Sequence, residues 1–147
     1  MIALEDIKEV VEKSEILCTV TASRVPVVYG EWLKEGQHIN AVGSSIPSSR
    51  EFDSQALIRS KLFADSIVSL TAESGDYLIP LKEGVIDASK IAGEIGEVLV
   101  GKKEGRTSEG EITFFKSLGI AIEDVAAARV LYEKSNSIED IPTFSFY

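Results

Sequence analysis

His38-Ile39-Asn40-Ala41-Val42-Gly43-Ser44-Ser45-Ile46-Pro47-Ser48-Ser49-Arg50-Glu51-Phe52 is the stretch that decides the fold. It opens as a short β-rich run and breaks at Gly43 into a serine-rich loop carrying Pro47. A strand that ends in a small, polar, glycine-bearing loop is what an open α/β sheet presents to a ligand at its carboxyl edge.

Working outward, Ile16 to Thr21 is a continuous apolar and β-branched run, which predicts a strand buried on both faces and therefore parallel to its neighbours. Before it, Leu4, Ile7, Val10 and Val11 recur at helical spacing over Leu4 to Lys13. Between the two strands, Trp32 and Leu33 fall in a turn that ends at Gly36. Beyond the opening stretch, Asp53 is placed to cap a helix over Ser54 to Ser60. A third strand is predicted at Ile67-Val68-Ser69-Leu70, a short helix over Tyr77 to Glu83 stopped by Gly84, and a second helical segment over Ile91 to Val100. Ile112-Thr113-Phe114-Phe115 is the fourth strand. A last helix runs from Ile122 to Lys134, with acidic residues in its first turn and a thin face at Ala126, Ala127 and Ala128 that should pack closely on something. Phe144, Phe146 and Tyr147 form an aromatic tail expected to dock on this chain or a neighbour. The alternation gives an α/β fold with a mostly parallel sheet of about four strands and flanking helices.

The chain has 147 residues, 44% apolar and 27% charged, as expected of one globular domain. No apolar run approaches the length of a membrane span, and the acidic N-terminal stretch does not resemble a signal peptide. A cytoplasmic protein with no membrane partner is expected. The net charge of −9 argues against a nucleic-acid partner. Cys18 and His38 are the only residues of their kinds, so no cysteine/histidine metal cluster can form, and no metal is expected. Cys18, in its apolar run, is expected to be buried. His38 opens a strand and is a poor candidate for a catalytic base. Glu94 and Glu97 fit a solvated or helix-capping role, and Asp76 fits a cap better than a base.

Three loops follow strands: Thr21-Ala22-Ser23, Gly43-Ser44-Ser45 and Lys116-Ser117-Leu118-Gly119. In a parallel sheet all three open on one edge and can face one ligand. No G-x-G-x-x-G turn follows a strand, so the residues alone give a polar sheet edge without a pyrophosphate cradle.

Five segments in order and spacing then carry a resemblance: V-T-A-S (Val20 to Ser23), I-N-A-V-G-x-S-x-P-x-x-R-E-F (Ile39 to Phe52), G-D-Y-L-I-P-L-K-E-G (Gly75 to Gly84), G-E-I-G-E-V-L-V-G (Gly93 to Gly101), and the run from Gly105 to Ala128. Together they resemble the ornithine cyclodeaminase/μ-crystallin family, whose members use NAD or NADP to act on amino acids or cyclic imines. The resemblance implies a truncated Rossmann-like fold. Residues 1–118 would be the second half of an NAD(P)-binding domain, and residues 119–147 a C-terminal helix and tail belonging to a dimerisation and substrate domain.

Carried over by position, the resemblance puts Thr21 along the dinucleotide and Ile39, Asn40, Ala41 and Val42 at the nicotinamide ribose. Ser117 and Leu118 would flank nicotinamide and substrate. Ser45 stands where cyclodeaminases and alanine dehydrogenases keep an aspartate, and a serine cannot serve as their carboxylate base. The loop is closer to the ketimine reductase branch. NAD or NADP binding is expected to be weak or absent in this chain alone, because the glycine turn would lie in another segment. The resemblance thus implies a partial oxidoreductase, inactive alone, that forms a homo-oligomer or joins a separate polypeptide carrying the N-terminal half. A non-catalytic α/β remnant and a small-molecule binding module are the alternatives.

Overall fold

A computed structural model describes residues 3–135 and 137–138. The strands are β1 (Ile16–Thr19), β2 (His38–Ala41), β3 (Ser60–Ala64), β4 (Ile91–Glu94) and β5 (Ile112–Lys116). They form one sheet in the order β1-β2-β5-β3-β4, with every pairing parallel. The α/β fold with a parallel sheet is therefore present, with five strands. The last strand in sequence, β5, is inserted at the centre, where Phe114 is paired with Ile39 on one side and Leu62 on the other.

One face of the sheet carries Leu17, Ile39, Phe114 and Leu62 in register, and all four are buried. Against this face lie α1 (Ile7–Lys13), which buries Val11, α2 (Ser54–Arg59), which buries Ala56 and Leu57, and α4 (Gly75–Lys82), which buries Tyr77. Phe52 meets Phe114 edge-on at 4.8 Å between ring centroids. Asp53 caps α2 as expected, accepting from Ala56 N–H at 3.0 Å, and its same oxygen also accepts from Gly30 N–H at 2.8 Å.

Four expectations are corrected. The segment Ile67 to Leu70 is not a strand but the start of α3 (Ile67–Glu73). Ser66 caps that helix by accepting from Ser69 N–H, and the apolar residues of the strand come earlier, at Leu62-Phe63-Ala64. Local capping outweighs the modest β preference of Ile67 and Val68. The segment Ile91 to Val100 is split. Its first four residues pair with β3, and only Ile95–Leu99 is helical (α5), opened by a reciprocal capping box between Glu94 and Glu97.

Cys18 is exposed, because β1 is an edge strand that alternates exposed and buried residues instead of lying covered on both faces. Asp76 does not cap α4. It lies in the first turn, and its side chain turns back toward the sheet edge.

The C-terminal helix α6 (Ala121–Ser135) matches the expected span, but it buries none of its residues. The aromatic tail lies outside the described residues. Among the described residues, no helix is long and apolar enough to cross a membrane.

Candidate functional site

The row of residues at the carboxyl end of the sheet is Thr19, Ala41, Lys116 and Ala64, paired in that order. The two alanines are fully buried and small, and they flank the Lys116 side chain, which is itself 0% exposed. Lys116 Nζ lies 3.1 Å from Asp76 Oδ2, and it also donates to the carbonyl of Gly43.

Asp76 Oδ1 accepts the backbone N–H groups of Glu51 (2.9 Å) and Phe52 (3.1 Å). Glu51, also fully buried, accepts the Thr19 hydroxyl at 2.7 Å and the Thr21 N–H at 2.6 Å. Burial pushes the Asp76 carboxyl above its usual range, against the opposing pull of the Lys116 ammonium and the two N–H donors. The loops after β1 and β2 are thus tied to each other and to the end of β5 by charged side chains sealed from water.

Above this network the first two loops are clamped directly. Val42 N–H and Gly43 N–H donate to Thr19 O at 2.9 and 3.2 Å, and Ser44 N–H donates to Thr21 O at 3.1 Å. The Ser44 hydroxyl donates to Ser23 O at 2.5 Å. Ser44 holds φ +52°, a left-handed conformation that is unusual for a residue with a Cβ. Between the loops opens a cavity of about 450 Å³ lined by Thr21, Arg24, Val42, Ser44, Ser45 and Ser49, among others.

On the β5 side, Asp65 Oδ2 accepts the N–H groups of Leu118 (2.6 Å) and Gly119 (2.8 Å) and lies 3.4 Å from the Ser117 hydroxyl. Ser117 N–H donates to Ala41 O at 3.0 Å, which fixes this turn to the end of β2.

The candidate residues divide accordingly. Thr21, Val42 and Ser45 meet at the cavity, with Val42 and Ser45 exposed. Ser117 and Leu118 are half-buried on the adjoining turn. Ile39 and Ala41 send their side chains into the core, both 0% exposed, so only their backbones reach the edge. The Asn40 side chain lies on the opposite face, accepting from or facing His38 Nε2 at 3.2 Å. His38 Nδ1 is 2.8 Å from the Thr113 hydroxyl, so both ring nitrogens are engaged.

Sequence reasoning missed Glu51, Asp65 and Lys116, and it assigned Asp76 a different job. The signal available was a charged residue at the end of an apolar strand, as in L-F-A-D and I-T-F-F-K.

A dinucleotide needs free backbone donors at its pyrophosphate. The backbone N–H groups of Thr21, Val42, Gly43 and Ser44 are all spent on internal hydrogen bonds, so these loops are not a pyrophosphate cradle. They do present an apolar Val42 surface and the hydroxyls of Thr21 and Ser45, which suit a carboxamide and ribose.

Comparison with known proteins shows the family. The sequence profile described as "Ornithine cyclodeaminase/mu-crystallin family" matches residues 1–139. The chain is 41% identical over 129 residues to an alanine dehydrogenase of Archaeoglobus fulgidus, covering 88% of this chain and 40% of that protein. It is 41% identical over 128 residues to a Delta(1)-pyrroline-2-carboxylate reductase of Bacillus cereus, covering 86% and 39%. Among solved structures, the Delta(1)-pyrroline-2-carboxylate reductase of Thermococcus litoralis, in complex with NADH and L-proline, superposes with a TM-score of 0.85 at 48% identity. That match covers 91% of this chain and 42% of the reductase. The chain spans about 40% of the length of the curated relatives it matches.

Proposed function

This chain belongs to the ornithine cyclodeaminase/mu-crystallin family, and from that premise we propose that it forms the nicotinamide-side wall of an NAD(P)-linked oxidoreductase site for an amino acid or a cyclic imine. The observation that carries the proposal is the cavity between the β1 and β2 loops, in a chain 48% identical to a reductase whose structure holds NADH and L-proline.

NAD or NADP would supply the hydride chemistry. This chain's residues bind and orient. Thr21 and Ser45 offer hydroxyls to ribose and carboxamide oxygens, Val42 offers an apolar surface to the ring, and the Asp65-held turn carries Ser117 and Leu118 toward the reacting end. Ser45 has no carboxylate to take up a proton during ring closure, which favours chemistry of the pyrroline and ketimine reductase type over ring-closing deamination. Pyrophosphate donors have to come from another segment, so these 147 residues alone bind cofactor only weakly and work beside a polypeptide carrying the glycine turn, while a homo-oligomer would cover exposed apolar surface without supplying that turn.

The test is an amide NMR titration of the chain with NADH and NADPH at millimolar concentration, beside an assay with Delta(1)-pyrroline-2-carboxylate. Shifts at residues 21, 42 and 45 with no turnover by the chain alone are expected. Shifts confined to other parts of the molecule would sink the nicotinamide-wall assignment, and steady turnover by the chain alone would refute the need for a partner.

A further inference from the structure

A lysine sealed in a protein core is costly, and a pair of apolar side chains usually fills the same space at no loss of stability. Lys116 is 0% exposed and Asp76 is 1% exposed, and they sit under the cavity instead of in the middle of the sheet. Any buried ammonium and carboxylate need hydrogen bonds beyond each other, and here those further bonds are directed at the loops. The ammonium reaches the Gly43 carbonyl, one residue from Val42 and two from Ser45. The carboxylate holds the Glu51 and Phe52 N–H groups, and Glu51 in turn holds Thr21 N–H. Both walls of the cavity are therefore connected to this pair.

The surrounding sequence makes room for it. Ala41 and Ala64, in register on either side of Lys116 and both fully buried, are small enough to leave space beside its long side chain. Gly43 is bare on the side facing Thr21 O and the Glu51 carboxylate, where a Cβ would overlap both. The loop is thus pressed close on its supports, and its carbonyl is the one group on the Val42 to Ser45 segment that meets the buried charge.

We infer that Lys116 is a positioning residue: acting through the Gly43 carbonyl and paired with Asp76, it sets where Val42 and Ser45 stand at the cavity. What those two residues then hold rests on the nicotinamide-wall proposal, whereas their placement by Lys116 does not. Groups held from behind in this way keep a binding geometry that a free loop would lose.

The test uses the double variant Lys116→Met/Asp76→Asn. It removes both charges at nearly constant volume and leaves an amide oxygen to accept from Glu51 and Phe52. Amide hydrogen exchange is followed residue by residue, and millimolar NADH is titrated by NMR. The expected result is a folded domain in which exchange at the hydrogen-bonded amides of residues 42–44 quickens by about tenfold or more while β3 and β4 are unchanged. The NADH-induced shift at Ser45 should be reduced. Unchanged exchange at 42–44, or an increase spread evenly over the sheet, overturns the inference.

If the double variant does not fold, Lys116→Arg takes its place. It keeps the charge but displaces the donor, and the same local quickening is expected from it, with an unchanged loop overturning the inference. Failure of the unmodified chain to respond to NADH would refute the cofactor proposal, and the exchange result would still decide the placement.

Discussion

Lys116 Nζ and Asp76 Oδ2 face each other at 3.1 Å in a compartment where neither side chain is more than 1% exposed. They come from β5 and α4, which are distant in sequence, and they meet below the Gly43 loop. Removing either partner strands the other charge out of reach of water. Lys116→Met and Asp76→Asn are each expected to cost about 3–5 kcal/mol, whereas the double variant should lie within about 2 kcal/mol of the parent. Urea denaturation of the four proteins in a double-mutant cycle checks this, and additive losses would show that the pair is not coupled.

The same carboxyl predicts a pH dependence with a definite sign. Burial holds Asp76 above its ordinary value of 3.8. A group whose pKa is raised on folding stabilises the fold fully below its unfolded pKa, and that stabilisation is lost as pH rises through the folded pKa. Glu111 works the other way. The Thr107 N–H holds it below its usual value, so its contribution is present above the ordinary carboxylate range and is lost as acid protonates it. Total stability mixes the two, but the Glu111 contribution cancels in the difference between the parent and Asp76→Asn. That difference should move in the parent's favour as pH falls from neutrality toward 3.8. A shift the other way would mean that attraction to Lys116 outweighs the burial of Asp76.

Ser44 combines a cost with a bond. Its φ of +52° is strained for any residue with a Cβ, and its hydroxyl clamps Ser23 O. Ser44→Ala loses the clamp and keeps the strain. Ser44→Gly loses the clamp but relieves the strain, so it should be the more stable of the two by about 1 kcal/mol. Thermal unfolding of both variants checks the order. If the alanine variant is equal or better, the loop relaxes out of the left-handed region once the clamp is gone.

How far the sequence carried depended on the range of the interaction. The β2 strand and its glycine break, the Asp53 cap and the C-terminal helix are written in neighbouring residues, and they were legible. The strand wrongly expected at Ile67 to Leu70 is a case where composition pointed one way and a cap at Ser66 the other. The open face of β1, which leaves Cys18 exposed, follows from the position of β1 at the sheet edge, and no local pattern records it. The site divided in the same way. The three loops were found because small polar residues after strands announce themselves. Glu51, Asp65, Asp76 and Lys116 were not, because a charge in a sequence looks solvated until the fold supplies its partner. The Lys116–Asp76 contact joins residues 40 positions apart.

The C-terminal helix supplies the last prediction. Its fifteen residues include Ile122, Val125, Leu131 and Tyr132, each more than 60% exposed, and none of α6 is buried. Isolated helices of up to about 15 residues are marginal in water, and most helices in proteins draw their stability from a packed apolar face. Within the described residues α6 has no such packing, so its cover should come from beyond them, and a second copy or a partner is the case a measurement can decide. The proposal of an oligomer, or of a separate partner polypeptide, therefore makes a measurable demand on the purified chain. It should sediment as a dimer or larger species at micromolar concentration, and Leu131→Glu, placed on that exposed apolar surface, should shift it toward monomer and reduce its helical signal while the sheet remains folded. A monomer with an intact α6 at micromolar concentration would show that the helix stands without a partner, and the oligomer proposal would fail.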